Sequence, residues 1–322
     1  MNKIKVGIVG GAGYTGGELI RILINHPHAE IIFVHSRSHA NAKVWEVHHD
    51  LLGETDLTFT GQYKQWCDVV FLCLGHGESV KIIPDFHPSV KIIDLSQDFR
   101  VQPHTSRNFV YGLPELNRDK INTANNIANP GCFATAVQLA LLPLADKNLL
   151  QDNIHITATT GSTGAGQALS ETSHFSYRQN NLSVYKAFTH QHLDEIHVSL
   201  SHLQSGFEKK MIMVPIRGSF TRGILAAITL PTQESLASLT EVFNNYYNAH
   251  PFVWISETNV DLKQVVNTNK CLLYLEKHDD QLMIISVIDN LLKGASGQAV
   301  QNMNLMYGLE ETMGLKLKAS AF

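Results

Sequence analysis

The chain has 322 residues, of which 44% are hydrophobic, so it has enough apolar material for one large or two ordinary domains. Its formal net charge of −4 gives no bulk attraction to nucleic acid or to an anionic membrane. The N-terminus shows no apolar signal core, and charged residues or prolines interrupt every apolar run before it reaches the length of a membrane span. We therefore expect a cytoplasmic protein that binds neither a membrane nor nucleic acid.

The four cysteines have neither the spacing of a metal site nor that of a redox pair. Cys67, Cys73 and Cys271 lie in or beside apolar runs, and we expect them to be buried thiols in a reducing compartment. Cys132 differs from them because it lies at the start of a predicted helix.

The first third of the chain alternates short apolar runs with a helical pattern. We predict strands over 4–9, 31–34, 69–74 and 90–94, and a helix over 18–24. Continuous apolar strands separated by helices are typical of a parallel sheet covered on both faces. This region therefore indicates an α/β domain of the Rossmann type.

After residue 130 the pattern changes to a long apolar helix followed by longer strands. We predict that the helix covers 132–142 and that Pro143 ends it. The predicted strands cover 154–160, 210–214, 224–230, 271–276 and 282–288, with a hairpin turn at 277–280. This indicates an α+β domain with a mixed or antiparallel sheet, followed by a helical tail over 294–322.

A glycine-rich sequence directly follows the first strand and opens the first helix. Its spacing fits G-x-G-x-x-G, in which glycines let the backbone approach a pyrophosphate at a helix N-terminus. The alternative is a simple tight turn, but the strand–loop–helix–strand context favours a dinucleotide site. The expected cofactor-binding residues of this loop are Gly10, Gly11, Ala12, Gly13, Tyr14, Thr15 and Gly16.

The end of the second strand indicates which dinucleotide binds. NAD enzymes usually place Asp or Glu there for the ribose hydroxyls, whereas this chain has Ser36, Arg37 and Ser38 and no carboxylate. Guanidinium and hydroxyl groups suit a 2′-phosphate, which a carboxylate would repel. We therefore expect NADP, although Arg37 could instead be a solvated loop charge.

Cys132 is the candidate nucleophile. A helix N-terminus stabilises a thiolate, and thiolates attack acyl carbons readily. The alternative is that Cys132 is a small apolar residue at a helix start.

His192 is the candidate acid/base, because Glu195 follows it on the same helix face and could orient the imidazole. A metal site through His190 and His192, or a merely polar helix start, are the alternatives. Gly164 lies in a second glycine-rich loop, after the strand 154–160, whose amides could bind an anion or allow close approach to a nicotinamide.

These segments together resemble the N-acetyl-gamma-glutamyl-phosphate reductase family, within the aspartate-semialdehyde dehydrogenase superfamily. The strings that carry the resemblance are GGAGYTG at 10–16, DLSQDFR at 94–100, YGLPELN at 111–117, NPGCFAT at 129–135, HQHLDEI at 190–196 and DNLLKGASGQAVQNMN at 289–304. They span nearly the whole chain in the family's order.

The resemblance implies an NADP-binding Rossmann domain over 1–132 and 294–322, and a catalytic and oligomer-forming domain over 133–293. It implies Cys132 as the nucleophile and His192 as the acid/base. The other residues it implies are Arg100 for the leaving phosphate, Glu195 and Arg222 for the substrate, and Asn290, Lys293 and Gly294 near the nicotinamide. The segment 214–224 is longer than the form common in the family, so Arg217 remains an alternative to Arg222 for the substrate carboxylates.

The activity implied by the resemblance is NADPH-dependent reduction of N-acetylglutamyl 5-phosphate through a Cys132 thioester, in arginine biosynthesis. A related reductase of aspartyl or aminoadipyl phosphate, and a non-catalytic NADP-binding regulator, are the competing readings. The resemblance also implies a homodimer or homotetramer and no bound metal.

Overall fold

The structure is a computed structural model that describes residues 2–101 and 107–320. The chain forms two compact units. The first unit consists of Met1–Pro130 and Ala295–Lys316, and the second consists of Gly131–Gly294 together with the end of the chain from Leu317. The expected boundaries at 132 and 294 differ slightly from these limits, because Cys132 and Gly294 both lie in the second unit.

The first unit contains a seven-stranded sheet in which every pairing is parallel. Its strands are β1 (Ile4–Val9), β2 (Ala29–His35), β3 (Phe59–Thr60), β4 (Val69–Leu72), β5 (Lys91–Asp94), β6 (Val110–Tyr111) and β7 (Asn126–Ala128). Their order in the sheet is β3-β2-β1-β4-β5-β7-β6. The chain thus runs outward from β1 in both directions, and the predicted Rossmann-type sheet is confirmed.

The second unit contains a mixed seven-stranded sheet. Its strands are β8 (Ile154–Thr160), β9 (Ser183–Val184), β10 (Met211–Arg217), β11 (Ile224–Pro231), β12 (Val253–Ser256), β13 (Cys271–His278) and β14 (Gln281–Ile288). Their order is β12-β13-β14-β11-β8-β10-β9, and the predicted hairpin of β13 and β14 is antiparallel. The expected α+β unit with a mixed sheet is therefore confirmed.

Eight α-helices lie in the described part of the chain. They are α1 (Tyr14–Leu23), α2 (Ser79–Ile82), α3 (Pro114–Asn122), α4 (Cys132–Asp146), α5 (Phe175–Arg178), α6 (His192–Leu203), α7 (Leu236–Tyr247) and α8 (Gly297–Met306). Helix α1 begins four residues before the predicted start, directly in the glycine-rich loop. No helix among the described residues is long and apolar enough to cross a membrane.

Helix α4 is the central helix of the second unit. Every residue from Phe133 to Ala145 is buried, because the helix packs against β11 and β14 on one side and against α6 and α7 on others. Alanine and leucine supply much of its length, and both are strong helix formers. The position of Cys132 at its first residue is therefore fixed by the core of this unit.

The prediction that Pro143 ends this helix is wrong, since α4 continues to Asp146. Proline has no N–H, so the carbonyl of Leu139 loses its helical donor. The hydroxyl of Tyr247, on α7, donates to that carbonyl at 2.5 Å. The neighbouring helix thus replaces the missing hydrogen bond, and the buried carbonyl stays satisfied.

The predicted helical tail is also shorter than expected. A π-helical turn covers Leu292–Ser296, α8 ends at Met306, and no helix follows among residues 307–320. Gly308 has a positive φ of 64° and donates to Leu305, while Leu309 donates to the carbonyl of Asn304 at 2.8 Å. This glycine-centred pattern terminates helices. Ala321 and Phe322 lie outside the described residues.

We predict that Tyr247→Phe lowers the free energy of unfolding by about 1–3 kcal/mol, because the Leu139 carbonyl is left buried without a donor. Urea unfolding measures the change. Pro143→Ala returns an N–H to that carbonyl, so Tyr247→Phe should cost less in the Pro143→Ala background. An equal cost in both backgrounds would contradict this account.

Candidate active site

The start of helix α4 presents Cys132 in a partly exposed position. Gly131 precedes it in an extended conformation. As a glycine, this N-cap residue has no side chain with which to cap the helix. Burial raises the pKa of Cys67 and of Cys73 to about 12, so neither thiol ionises at neutral pH. Cys67 and Cys271 are buried as expected, whereas Cys73 is only partly so.

Glu195 connects the start of α4 to helix α6. One of its carboxylate oxygens accepts a hydrogen bond of 3.0 Å from the backbone N–H of Gly131. The other oxygen lies 3.7 Å from Nε2 of His192, with both side chains buried. The predicted pairing of His192 and Glu195 on one helix face is therefore confirmed, and the same carboxylate also caps the helix that begins with Cys132.

Two glycines allow the side chains around Cys132 to approach closely. A Cβ added at Gly131 would lie 2.6 Å from Cε1 of His192, so the imidazole rests directly on the residue before the cysteine. A Cβ added at Gly294 would lie 2.8 Å from Cβ of Cys132. Neither position can carry a larger residue unless the site moves.

His190 lies behind His192 in an apolar environment. Its Nδ1 accepts a hydrogen bond of 3.2 Å from the backbone N–H of His192, and the two ring centroids are 4.6 Å apart. Phe133 packs edge-on against the His190 ring at 5.3 Å. Burial, aided by the charge of Lys186 and opposed by that of Glu195, lowers the pKa of His190 to about 4. His190 is therefore neutral at physiological pH and is poorly suited to exchange protons there.

Tyr185 and Arg217 extend this cluster beyond His190. The ring centroid of Tyr185 lies 5.9 Å from that of His190, and the guanidinium carbon of Arg217 lies 4.7 Å from the Tyr185 centroid. Burial, and in second place the electrostatic effect that a Cys132 thiolate would have, raise the pKa of Tyr185 to about 12, against the opposing charge and hydrogen bond of Arg217. The phenol therefore stays protonated at neutral pH.

Arg222 is held by a buried carboxylate. Its Nε and Nη2 donate to the two oxygens of Asp289 at 3.1 and 3.2 Å, and Asp289 is fully buried. Such a two-pronged pair is rigid. Asp289 also accepts hydrogen bonds from the backbone N–H groups of Leu291 and Asn267, so the pair fixes the segment that follows β14.

Asn290 and Gly164 belong to the same end of the mixed sheet. The side-chain carbonyl of Asn290 accepts from the Gly223 N–H at 2.7 Å, and its amide donates to the Thr163 hydroxyl at 3.0 Å. Gly164 lies in the short helical turn that includes Thr163. Asn290 thus anchors the second glycine-rich loop to β11.

Lys293 is fully buried in the π-helical turn, with its ammonium 5.9 Å from the ring centroid of Phe252. Buried lysines are rare unless their charge is compensated.

In the first unit, the glycine-rich loop joins β1 to α1, and the N–H groups of Gly10 and Gly11 tie it to the carbonyl of His35. Gly10 has a φ of +80°, and a Cβ there would lie 2.8 Å from the carbonyl carbon of Cys73. The N-cap residue Gly13 has no side chain to cap α1. The first-turn N–H groups of Tyr14 and Thr15 have no acceptors within the helix. Ser296 donates to the Thr15 carbonyl at 2.8 Å and holds the loop in place. A pyrophosphate fits this arrangement.

A cleft of about 360 Å³ lies beside this loop, at the carboxyl ends of β1 and β2. Ser36, Arg37 and Ser38 line it together with Gly10, Ala12 and Gly13. The Ser36 and Ser38 hydroxyls lie 3.4 Å apart, and Arg37 is exposed. Three of the seven predicted loop residues therefore line one cleft with the three predicted phosphate-binding residues, whereas Gly11, Tyr14, Thr15 and Gly16 do not line it.

Arg100, in the first unit, is buried and largely committed to backbone carbonyls. Its Nε donates to Asn129 at 2.9 Å, and its Nη2 donates to Leu95 at 2.8 Å. Burial raises the pKa of the neighbouring Asp94 to about 6, although Ser79, Ser96 and the charge of Arg100 oppose that shift.

Comparisons with known proteins show which family the chain belongs to. Relatives in Azobacteroides pseudotrichonymphae, Parabacteroides distasonis and Flavobacterium johnsoniae are 58%, 55% and 54% identical, over 99% of this chain and 100% of each relative. All three are named N-acetyl-gamma-glutamyl-phosphate reductase. The chain belongs to the N-acetyl-gamma-glutamyl-phosphate reductase family. Two family models match as well, "Semialdehyde dehydrogenase, NAD binding domain" over residues 5–124 and "Semialdehyde dehydrogenase, dimerisation domain" over 132–290.

Solved structures show the same fold at much lower identity. Aspartate semialdehyde dehydrogenase II from Vibrio cholerae, complexed with ASA, has a TM-score of 0.71 and 16% identity over 96% of this chain and 99% of that chain. Aspartate semialdehyde dehydrogenase with NADP from Candida albicans has a TM-score of 0.67 and 15% identity over 95% and 99%. This chain therefore has the same fold as these enzymes.

The structure of this reductase family member brings some predicted residues together and assigns others to different contacts. Cys132, His192, Glu195 and Gly294 form one cluster in the second unit. Arg222 and Asn290, in the same unit, hold Asp289 and the second glycine loop. The sequence does not indicate Tyr185, because the two-residue strand before it shows no readable periodicity.

We predict that His190 makes the protein less stable as the pH falls. Its folded pKa of about 4 is below the ordinary 6.5, so only the unfolded chain takes up this proton between those values. Between pH 5 and 6.5, His190→Gln should flatten the dependence of the free energy of unfolding on pH by up to about 1.4 kcal/mol per pH unit. Urea unfolding at several pH values measures this.

The exposed His155 on β8 provides a control for the chemical change itself, because His155→Gln makes the same substitution at the surface. A His190→Gln variant with the wild-type dependence would show that His190 is not held neutral.

Proposed function

We propose that this chain reduces N-acetyl-L-glutamyl 5-phosphate to N-acetyl-L-glutamate 5-semialdehyde with release of phosphate, in arginine biosynthesis. The observation that carries the proposal is the placement of Cys132 at the start of α4, beside a buried His192–Glu195 pair. The full-length relatives at 54–58% identity support the same reaction by their names.

Cys132 acts as the nucleophile in this scheme. Its sulfur attacks the acyl carbon, a carbon–sulfur bond forms, and phosphate leaves with the electron pair of the carbon–oxygen bond. The helix N-terminus stabilises the thiolate that attacks and is later expelled. The family resemblance assigns Arg100 to the leaving phosphate, whose charge a guanidinium would neutralise.

The first unit binds the nicotinamide cofactor. When bound, NADPH supplies the hydride that converts the thioester to the aldehyde level. The glycine-rich loop and the first turn of α1 hold the pyrophosphate, and Ser36, Arg37 and Ser38 hold the 2′-phosphate. The absence of a carboxylate at the end of β2 favours NADP over NAD.

His192 acts as the general acid/base for the thiol of Cys132. It accepts the thiol proton as Cys132 attacks and returns it once the aldehyde has left. Glu195 lies 3.7 Å from Nε2 of His192 and favours the imidazolium form by its charge. General acid/base catalysis of this kind contributes about 10²–10⁴-fold to the rate.

A homodimer or homotetramer is the assembly that we propose, on the basis of the dimerisation domain matched over 132–290. The cytoplasm is the compartment that we propose, because all four cysteines are free thiols.

The reaction can be tested in reverse, as phosphate-dependent reduction of NADP by the purified protein. We predict activity with N-acetylglutamate semialdehyde and at least about 10²-fold lower kcat/KM with aspartate semialdehyde, which lacks the acetyl group and one carbon. Cys132→Ser should lose activity while still binding NADP. Equal activity with both aldehydes, or a fully active Cys132→Ser variant, would defeat the proposal.

The preference for NADP depends on Arg37 in this account. Arg37→Ala should weaken NADP binding about 10–100-fold and leave NAD binding within about threefold, because only NADP carries the 2′-phosphate. Fluorescence or calorimetric titration measures both affinities. Lys64→Ala removes a nearby exposed charge outside the cleft and should change neither. Parallel losses for both cofactors in Arg37→Ala would assign Arg37 to another role.

A further inference from the structure

The three arginines of the second unit differ in how far their guanidinium groups are already occupied. Arg178 is saturated by acceptors and is buried. Its guanidinium donates to the carbonyls of Thr172, Asn181 and Arg217 and to the hydroxyl of Ser183. It therefore fixes the backbone around β9 and the end of β10 and cannot bind a ligand without breaking these bonds.

Arg222 is occupied as well. The Nε and Nη2 of its guanidinium are committed to Asp289, and this fully buried carboxylate already compensates the charge of Arg222. The pair is thus a structural element at the end of the mixed sheet. A substrate carboxylate at Arg222 would meet a cation whose charge is already compensated.

Arg217 is different, because no carboxylate pairs with it among the residues that the structure describes. Its buried Nε–H has no hydrogen-bond acceptor there. Its position is nevertheless fixed, since it ends β10 with its backbone carbonyl held by Arg178 and its guanidinium packed on the ring of Tyr185 at 4.7 Å. Its side chain is also hydrogen-bonded to that of Tyr185. A planar cation that is fixed in position and has no carboxylate partner among the described residues is ready to accept one.

Arg217 is also connected to the nucleophile by a continuous series of contacts. Its guanidinium packs on Tyr185, whose ring meets His190 at 5.9 Å. The His190 ring meets His192 at 4.6 Å, and His192 rests on Gly131, which precedes Cys132.

We propose that Arg217, supported by Tyr185, binds the α-carboxylate of the acetylated substrate and sets the preference for substrates that carry it. This inference rests on the proposed function and identifies the residue that binds the α-carboxylate of the proposed substrate. The carboxylate would receive two N–H donors from one rigid group, which is the geometry that distinguishes arginine from lysine.

The test compares two aldehydes that differ only in this carboxylate, N-acetylglutamate semialdehyde and 4-acetamidobutanal, in the phosphate-dependent reduction of NADP. Arg217→Met should lower kcat/KM for the first aldehyde about 10²-fold and change that for the second by less than about threefold. Arg217→Lys should lose about tenfold with the first aldehyde only. Lys209→Met removes an exposed charge near the other end of β10 and serves as the matched control.

The proposal is supported if Arg217→Met loses the wild-type preference for N-acetylglutamate semialdehyde over 4-acetamidobutanal while Lys209→Met keeps it. Retention of the preference in Arg217→Met and Arg217→Lys would overturn it. An equal loss with both aldehydes would also overturn it, because Arg217 would then act on the shared chemistry or on the fold. A wild-type protein inactive with both aldehydes would instead defeat the proposed function itself, before any variant is compared.

Discussion

The hydrogen bond from the Gly131 N–H to the Glu195 carboxylate is the interaction on which the second unit's site depends. A buried carboxylate is costly unless hydrogen bonds and a favourable field compensate it, and the N-terminus of α4 supplies both. The same carboxylate lies 3.7 Å from Nε2 of His192, so one group both caps the helix that begins with Cys132 and lies beside the imidazole. Because α4 is buried along its length, the core of the unit sets the position of this bond.

The two units use the same physical device for different groups. In the first unit, glycines bring the backbone to the start of α1, where a pyrophosphate fits. In the second unit, Gly131 and Gly294 let side chains close around the start of α4, a type of position that favours a thiolate. A helix N-terminus favours negative charge in both cases, and larger residues at Gly131 and Gly294 would collide with neighbours.

Patterns within one element were readable from the sequence, whereas contacts between distant segments were not. The G-x-G-x-x-G loop, the alternation of strands and the spacing of His192 and Glu195 are local, and the structure has all three. Pro143 was expected to end α4, but the hydroxyl of Tyr247, more than a hundred positions later, satisfies the freed carbonyl. The pairing of Arg222 with Asp289 and the packing of Arg217 on Tyr185 likewise depend on tertiary structure that no local pattern encodes.

The central claim is that the acyl group passes through a covalent bond to Cys132, and trapping that bond tests it most directly. The protein is mixed with freshly prepared N-acetylglutamyl phosphate without NADPH, quenched in acid and analysed by intact-mass and peptide mass spectrometry. The account predicts one acetylglutamyl group per chain on the peptide that contains Cys132, removable by hydroxylamine. Phosphate release without any adduct, or an adduct on Cys67, Cys73 or Cys271 instead, would contradict it.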